Sequence, residues 1–148
     1  MRRTWLAVRR WLERVPLSLI QLGMRIGVAA VFFNAGLLKY NSWEFTVKLF
    51  EDEYKMPLLA PEVAARLAMI QELTLPVLLF LGLATRAATV PMLGMIAVIQ
   101  TFVYPNAWTE HLVWSSILVF LLTRGPGILS LDHLVDRYLA LQRARVPK

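Results

Sequence analysis

The sequence predicts an all-α polytopic membrane protein, a four-transmembrane-helix bundle with amphipathic N- and C-terminal helices. Three observations predict it. Apolar residues make up 57% of the 148 residues, against roughly 45–50% in soluble domains, and mean hydropathy is +0.54. The excess is gathered into four runs of membrane-spanning or near-spanning length. The basic residues crowd onto one set of run ends, as they do on the cytoplasmic side of membrane proteins.

Residues 1–16 form a basic amphipathic interfacial helix. Trp5, Val8, Trp11, Leu12 and Val15 recur at helical spacing, and arginines fill most of the remaining positions. Such a helix lies in the headgroup region. Pro16 separates it from the four-helix transmembrane domain, residues 17–124. Its segments cover about 17–38, 62–83, 87–104 and 107–123. The first is long enough to cross roughly 30 Å of hydrocarbon at about 1.5 Å per residue. The fourth has the shortest apolar core, so Thr109, Glu110 and His111 fall at the interface.

Only Ala84, Thr85 and Arg86 link segments two and three, which makes them a tight antiparallel hairpin. The link 39–61 is the longest. Trp43, Val47, Phe50 and Tyr54 share a helical face there, although Trp43, Phe45, Val47 and Leu49 also alternate as in a strand. A strand would have no partner, so a short surface helix is expected. Residues 125–148 form a cytoplasmic amphipathic tail. Ser130 suits its N-cap, and Asp132 suits the positive end of a helix.

With four spans both termini share a side. Eleven Lys and Arg fall there: five between Arg2 and Arg14, Arg86, Arg124, and four between Arg137 and Lys148. The other side has Lys39, Lys48, Lys55 and Arg66. This bias places the termini in the cytoplasm. Beside hydrophobic segments, the net charge of +6 serves lipid headgroups rather than nucleic acid. The expected partners are the bilayer and other proteins or further copies of the chain.

Charge within the spans costs at least about 2.5–3.5 kcal/mol near the centre. Arg25 and Glu72 bear such charges. Counted from the inner segment ends, they lie about 12 and 16 Å deep. An arginine side chain bridges that difference, so an Arg25–Glu72 ion pair is expected, with Gln21 or Gln71 meeting the remaining donors. Pro76 lacks an N–H and frees the carbonyl of Glu72. This is either a lock between two helices or a ligand or proton site.

A second polar group gathers Asn34, Lys39, Gln100, Tyr104, Glu110 and His111 toward the outer helix ends. His111 suits a quinone carbonyl or a proton relay, or is simply a wet interfacial histidine. Trp43, Tyr104, Trp108 and Trp114 fit an aromatic belt. Met24, Met69, Met92 and Met95 fit packing better than copper, and no metal site is expected. A haem clamp would want two intramembrane axial ligands, and only His111 offers itself. Absence of cysteine excludes disulfides and thiolate metal sites. The sequence has no nucleophile triad, P-loop or HExxH, so no cofactor is evident beyond quinone, and catalysis stays open with Glu72, Arg25 and His111 as candidates.

Four patches resemble the DoxX family of small four-helix membrane proteins. They are Arg25 with FFNAGLLKY (32–40), AMIQELTLPVLLFLGLATRAA (68–88), the outer connection near Trp108 and His111, and RGPGILSLD (124–132). The resemblance covers about 17–136. It implies a bundle in the bacterial inner membrane and draws attention to Arg25, Lys39, Glu72, Arg86 and Asp132, the last two as a cytoplasmic motif. It also implies links to sulfur and thiol redox, including a quinone-reducing thiosulfate oxidoreductase subunit, to oxidative stress, and to systems handling metal-binding peptides. The leading expectation is an accessory membrane protein serving a redox, sulfur or metal-stress system through partners. The alternatives are a quinone-interacting subunit of an oxidoreductase and a small transporter or channel centred on Glu72 and Pro76.

Overall fold

The computed structural model describes residues 2–55 and 57–144. Arg145 and Lys148, counted above among the basic residues, lie outside them. Among the described residues the ordered elements are all helical. They are α1 (Arg2–Leu12), α2 (Leu17–Asn41), α3 (Trp43–Leu49), α4 (Pro61–Leu81), α5 (Thr85–Val98), α6 (Trp108–Arg124) and α7 (Leu131–Ala144). Two π-helical turns, Phe50–Tyr54 and Ile99–Val103, extend α3 and α5.

Three stretches are long and apolar enough to cross a membrane: Leu17–Asn41, Pro61–Leu81 and Thr85–Val103. The fourth helix, α6, has 17 residues, about 25 Å of helix. Around the bundle α2 packs on α4, α4 on α5, α5 on α6, and α6 on α2. Val28, Phe32, Leu79, Met92, Ile96, Leu118 and Leu121 form the shared core. Large apolar residues such as Ile26, Leu37, Val77, Phe80, Val90 and Val119 point outward and stay exposed. A water-soluble protein would not leave so much apolar surface bare; lipid covers it without cost.

Each boundary has a local cause. Pro16 precedes α2 in extended conformation. Gly82, in the left-handed region at φ +67°, ends α4. Pro61 opens α4 where its missing N–H costs nothing. Pro91 sits within α5, and α4 continues through Pro76.

The connection 39–61 does carry the expected short helix. Its buried face is Thr46 and Phe50, packed with Trp43 and Tyr54 against Ala64 and Ala65 of α4. Arg66 lies 5.4 Å from the Trp43 ring centroid. These contacts hold the connection as a cap over the N-terminal end of α4.

Candidate functional site

Two buried polar clusters occupy opposite ends of the bundle, and the expected Arg25–Glu72 pair does not form. Arg25, 2% exposed, points to the end of the bundle where α4 terminates. Its Nε donates to Leu79 O at 2.9 Å and Nη2 to Phe80 O at 2.6 Å. Its Nη1 donates to Pro126 O at 3.0 Å and Leu129 O at 2.8 Å. The first two carbonyls belong to the last turn of α4, which carries the negative end of the helix dipole, and Leu79 O also accepts from the Gly82 N–H. The other two belong to the turn between α6 and α7. A planar guanidinium serves such a set as no other side chain can.

The reason for the difference is register. Gly36 of α2 lies against the backbone of Glu72, where an added Cβ would come within 3.0 Å of its carbonyl carbon. Arg25 instead sits level with Leu79 and Phe80, about 10 Å farther along α4 at 1.5 Å per residue. The inner end of α2 thus overshoots α4. The Gly125–Ser130 turn folds over the overshoot. Gln21 donates to Gly125 O at 3.0 Å, and Ser18 Oγ accepts from the Ile128 N–H at 3.2 Å. Gln21 therefore belongs to the arginine cluster, whereas half-buried Gln71 joins neither cluster. Gly127 has φ +86° and faces Gln21 so closely that a Cβ would collide with Oε1.

Asp132 completes this end. Its carboxylate accepts from Ala84 N at 2.7 Å and Thr85 N at 2.9 Å, capping α5. Its own N–H donates to Gly82 O at 2.8 Å. Asp132 lies in the first turn of α7 as expected, and its carboxylate caps α5 as well. Ser130 accepts from His133 N, the N-cap role assigned from sequence. Arg86 is exposed beside Gly125.

The outer cluster is the candidate functional site. Glu72, 3% exposed, takes Lys39 as its partner. Lys39 Nζ donates to Oε1 at 2.9 Å and lies 2.7 Å from Oε2, an oxygen with no hydrogen bond of its own. The pair lines a cavity of about 290 Å³ beneath the cap. Phe32, Ala68, Met95, Val98 and Ile99 supply apolar wall, while Glu110, His111 and Trp114 close the α6 side. His111 is 5% exposed and its ring centroid is 5.6 Å from that of Trp114.

Gln100 fixes the histidine. Its Nε2 donates to Pro105 O at 2.7 Å, so Oε1 faces His111 Nδ1 at 2.6 Å. That assigns the proton to Nδ1 and leaves Nε2 as the second polar atom of the neutral ring. Of the outer group read from sequence, Lys39, Tyr104, Glu110 and His111 line the cavity, Gln100 stands behind His111, and Asn34 is exposed elsewhere.

Sequence reasoning missed the roof. Tyr54 ends the first π-helical turn and Tyr104 follows the second, and their hydroxyls meet at 2.9 Å with ring centroids 5.7 Å apart. Burial, and then the Tyr104 hydroxyl, push the Tyr54 phenol well above its ordinary value. Their meeting depends on π-helical turns, which have no reliable signature in sequence and recur at functional sites.

Residues 20–105 match the DoxX family, a stretch that holds Arg25, Lys39, Glu72 and the α4–α5 turn.

The chain belongs to the DoxX family.

Among curated proteins it is similar to a Haemophilus influenzae protein described only as uncharacterized. The two are 28% identical over 124 residues, covering 77% of this chain and 82% of that protein. No solved structure matches. The DoxX match ends at 105, so it contains the pair and most of the cavity wall, while His111 and the arginine-bound turn lie beyond it.

Proposed function

We propose that this DoxX protein is a quinone-interacting membrane subunit of a redox system, acting with partner proteins. One observation carries the reading: a buried ion pair and a buried histidine open onto the same apolar cavity. Small-molecule sites combine a largely apolar wall with a few convergent polar groups, in volumes of roughly 300–1,000 Å³. The cavity lies at the low end of that range, suited to one ring and the start of its tail.

The residues fit such a ring. Lys39 would donate to one carbonyl, and His111 Nε2 would accept from the hydroxyl of the reduced ring. Glu72 keeps the Lys39 ammonium in place beside the ring. Bound quinone supplies two-electron, two-proton chemistry. The chain's part is to hold the ring against the pair, exclude water beneath Tyr54 and Tyr104, and keep protons at Glu72 and His111. With no cysteine in the chain, electrons have to come from a partner.

The same proposal includes topology. The chain crosses a bacterial inner membrane four times, α6 being the short span, with both termini cytoplasmic. Positive charge at the end carrying the termini supports this orientation. The cavity then lies in the outer half, reachable from the lipid.

The test is extraction. Protein purified from native membranes in mild detergent should release quinone, read by its absorbance before and after borohydride. Glu72→Gln should release at least about tenfold less, the loss of one charge-assisted bond. Wild-type protein free of quinone, and unable to take it up from doped vesicles, would contradict the reading.

A further inference from the structure

The end of the bundle opposite the cavity carries a second cleft, of about 680 Å³. It lies between the first turn of α2, the α4–α5 turn and the segment running from Arg124 into α7. Its charged side chains are Arg86, Arg124, Asp132 and Asp136, with His133 beside them. These charges are not equivalent. Asp132 commits both oxygens to Ala84 N and Thr85 N, where the positive end of α5 already offsets it. Asp136 is exposed one turn farther along α7. Neither arginine pairs with an acid among the described residues. Two unpaired guanidinium groups against one unpaired carboxylate leave surplus positive charge.

Arg86 also passes close to the α6–α7 turn. Gly125 has φ +82°, and the Arg86 guanidinium lies along it, 3.5 Å from where a Cβ would stand. Beside the arginines the wall turns apolar. Leu17, Ile128 and Val135 line it and are 53%, 60% and 47% exposed. A soluble anion would satisfy the arginines and leave those three wet. A phospholipid presents both halves, a phosphate for the guanidinium groups and acyl chain for the wall, at the depth where a bundle end meets headgroups.

We propose that this cleft binds an anionic phospholipid, its phosphate held by Arg86 and Arg124 and its acyl chain laid on Leu17, Ile128 and Val135. Surplus positive charge selects an anionic headgroup over a zwitterionic one. The site is separate from the outer cavity, and its test does not depend on quinone.

The experiment is native mass spectrometry of the full chain in mild detergent, with added phosphatidylglycerol or phosphatidylethanolamine of equal chain length. Wild type should retain one phosphatidylglycerol in preference to phosphatidylethanolamine. Arg86→Gln with Arg124→Gln should lower that retention at least about tenfold, and Arg86→Lys with Arg124→Lys should restore much of it. Both arginines are exposed, and unchanged helical circular dichroism will show that the fold survives. Equal retention of the two lipids, or full retention by the double Gln variant, would overturn the proposal. Displacement of phosphatidylglycerol by millimolar inorganic phosphate would also overturn it, by showing that a phosphate alone fills the site.

Discussion

Among the described residues Glu72 pairs with Lys39, and the Arg25 guanidinium donates to four backbone carbonyls. Those assignments are tested by coupling. Glu72→Ala should destabilise the protein in detergent by about 3 kcal/mol, because it strands a largely buried ammonium, and Lys39→Ala should act similarly. The double variant should cost clearly less than the sum. Arg25→Ala combined with Glu72→Ala should be additive within about 0.5 kcal/mol, since the two share no partner. Thermal melts with van't Hoff analysis give all these values. Coupling between Arg25 and Glu72 would restore the pairing that the sequence suggested.

That pairing shows where sequence reading stops. Arg25 and Glu72 were identifiable as costly charges because each sits inside an apolar run. Their partners were not, because depth counted from segment ends assumes that neighbouring helices end level. The end of α2 that carries Arg25 runs on past α4, and two of the four carbonyls that meet Arg25 come from a turn about a hundred residues away. Lys39 was legible as one of the polar residues at the helix ends, but not as the partner of Glu72. Ser130 was readable as an N-cap because that interaction is local.

Among elements, the α2–α4 contact sets the position of the pair. Gly36 is pressed on the Glu72 backbone, whereas a Cβ at Gly23 would meet nothing within 4 Å. Gly36→Leu should therefore destabilise by about 2 kcal/mol through overpacking, while Gly23→Ala should be neutral or slightly stabilising. Equal effects would mean that the α2–α4 approach is not as close as described.

The roof makes a prediction about pH. The Tyr54 phenol ionises well above its ordinary 10.0 because of burial first and Tyr104 second. The unfolded chain loses that proton at the ordinary value, so it binds fewer protons than the native state once pH exceeds about 10. Stability contributed by this group is complete below pH 10 and falls as pH rises beyond it. Tyr54→Phe should flatten that alkaline decline in melting temperature. A variant that declines as steeply as wild type would remove Tyr54 from the cause. The helices on either side were legible from run length and breakers, but the π-helical turns that bring the two tyrosines together were not.

At the scale of the whole molecule, membrane residence follows from the outward apolar surface and the spans themselves. Orientation is the part that needs a test. Because the chain lacks cysteine, single cysteines report it cleanly. Lys48→Cys, on the cap, should react with an impermeant maleimide in intact cells, and Arg10→Cys in α1 only after lysis. The reverse pattern would place the cavity toward the cytoplasm. The exposed Trp5 and Trp11 of α1 should also show the blue-shifted emission of an interfacial helix.

The cavity is the centre of the account, and photolabelling addresses it most directly. A short-tailed azido-quinone should attach within residues 31–39, 95–104 or 107–114, the stretches of α2, α5 and α6 that line the cavity, and excess unlabelled quinone should suppress the labelling. Labelling confined to the lipid-facing groove of Ile26, Ala30, Val77 and Phe80, or labelling that excess quinone leaves unchanged, would contradict it.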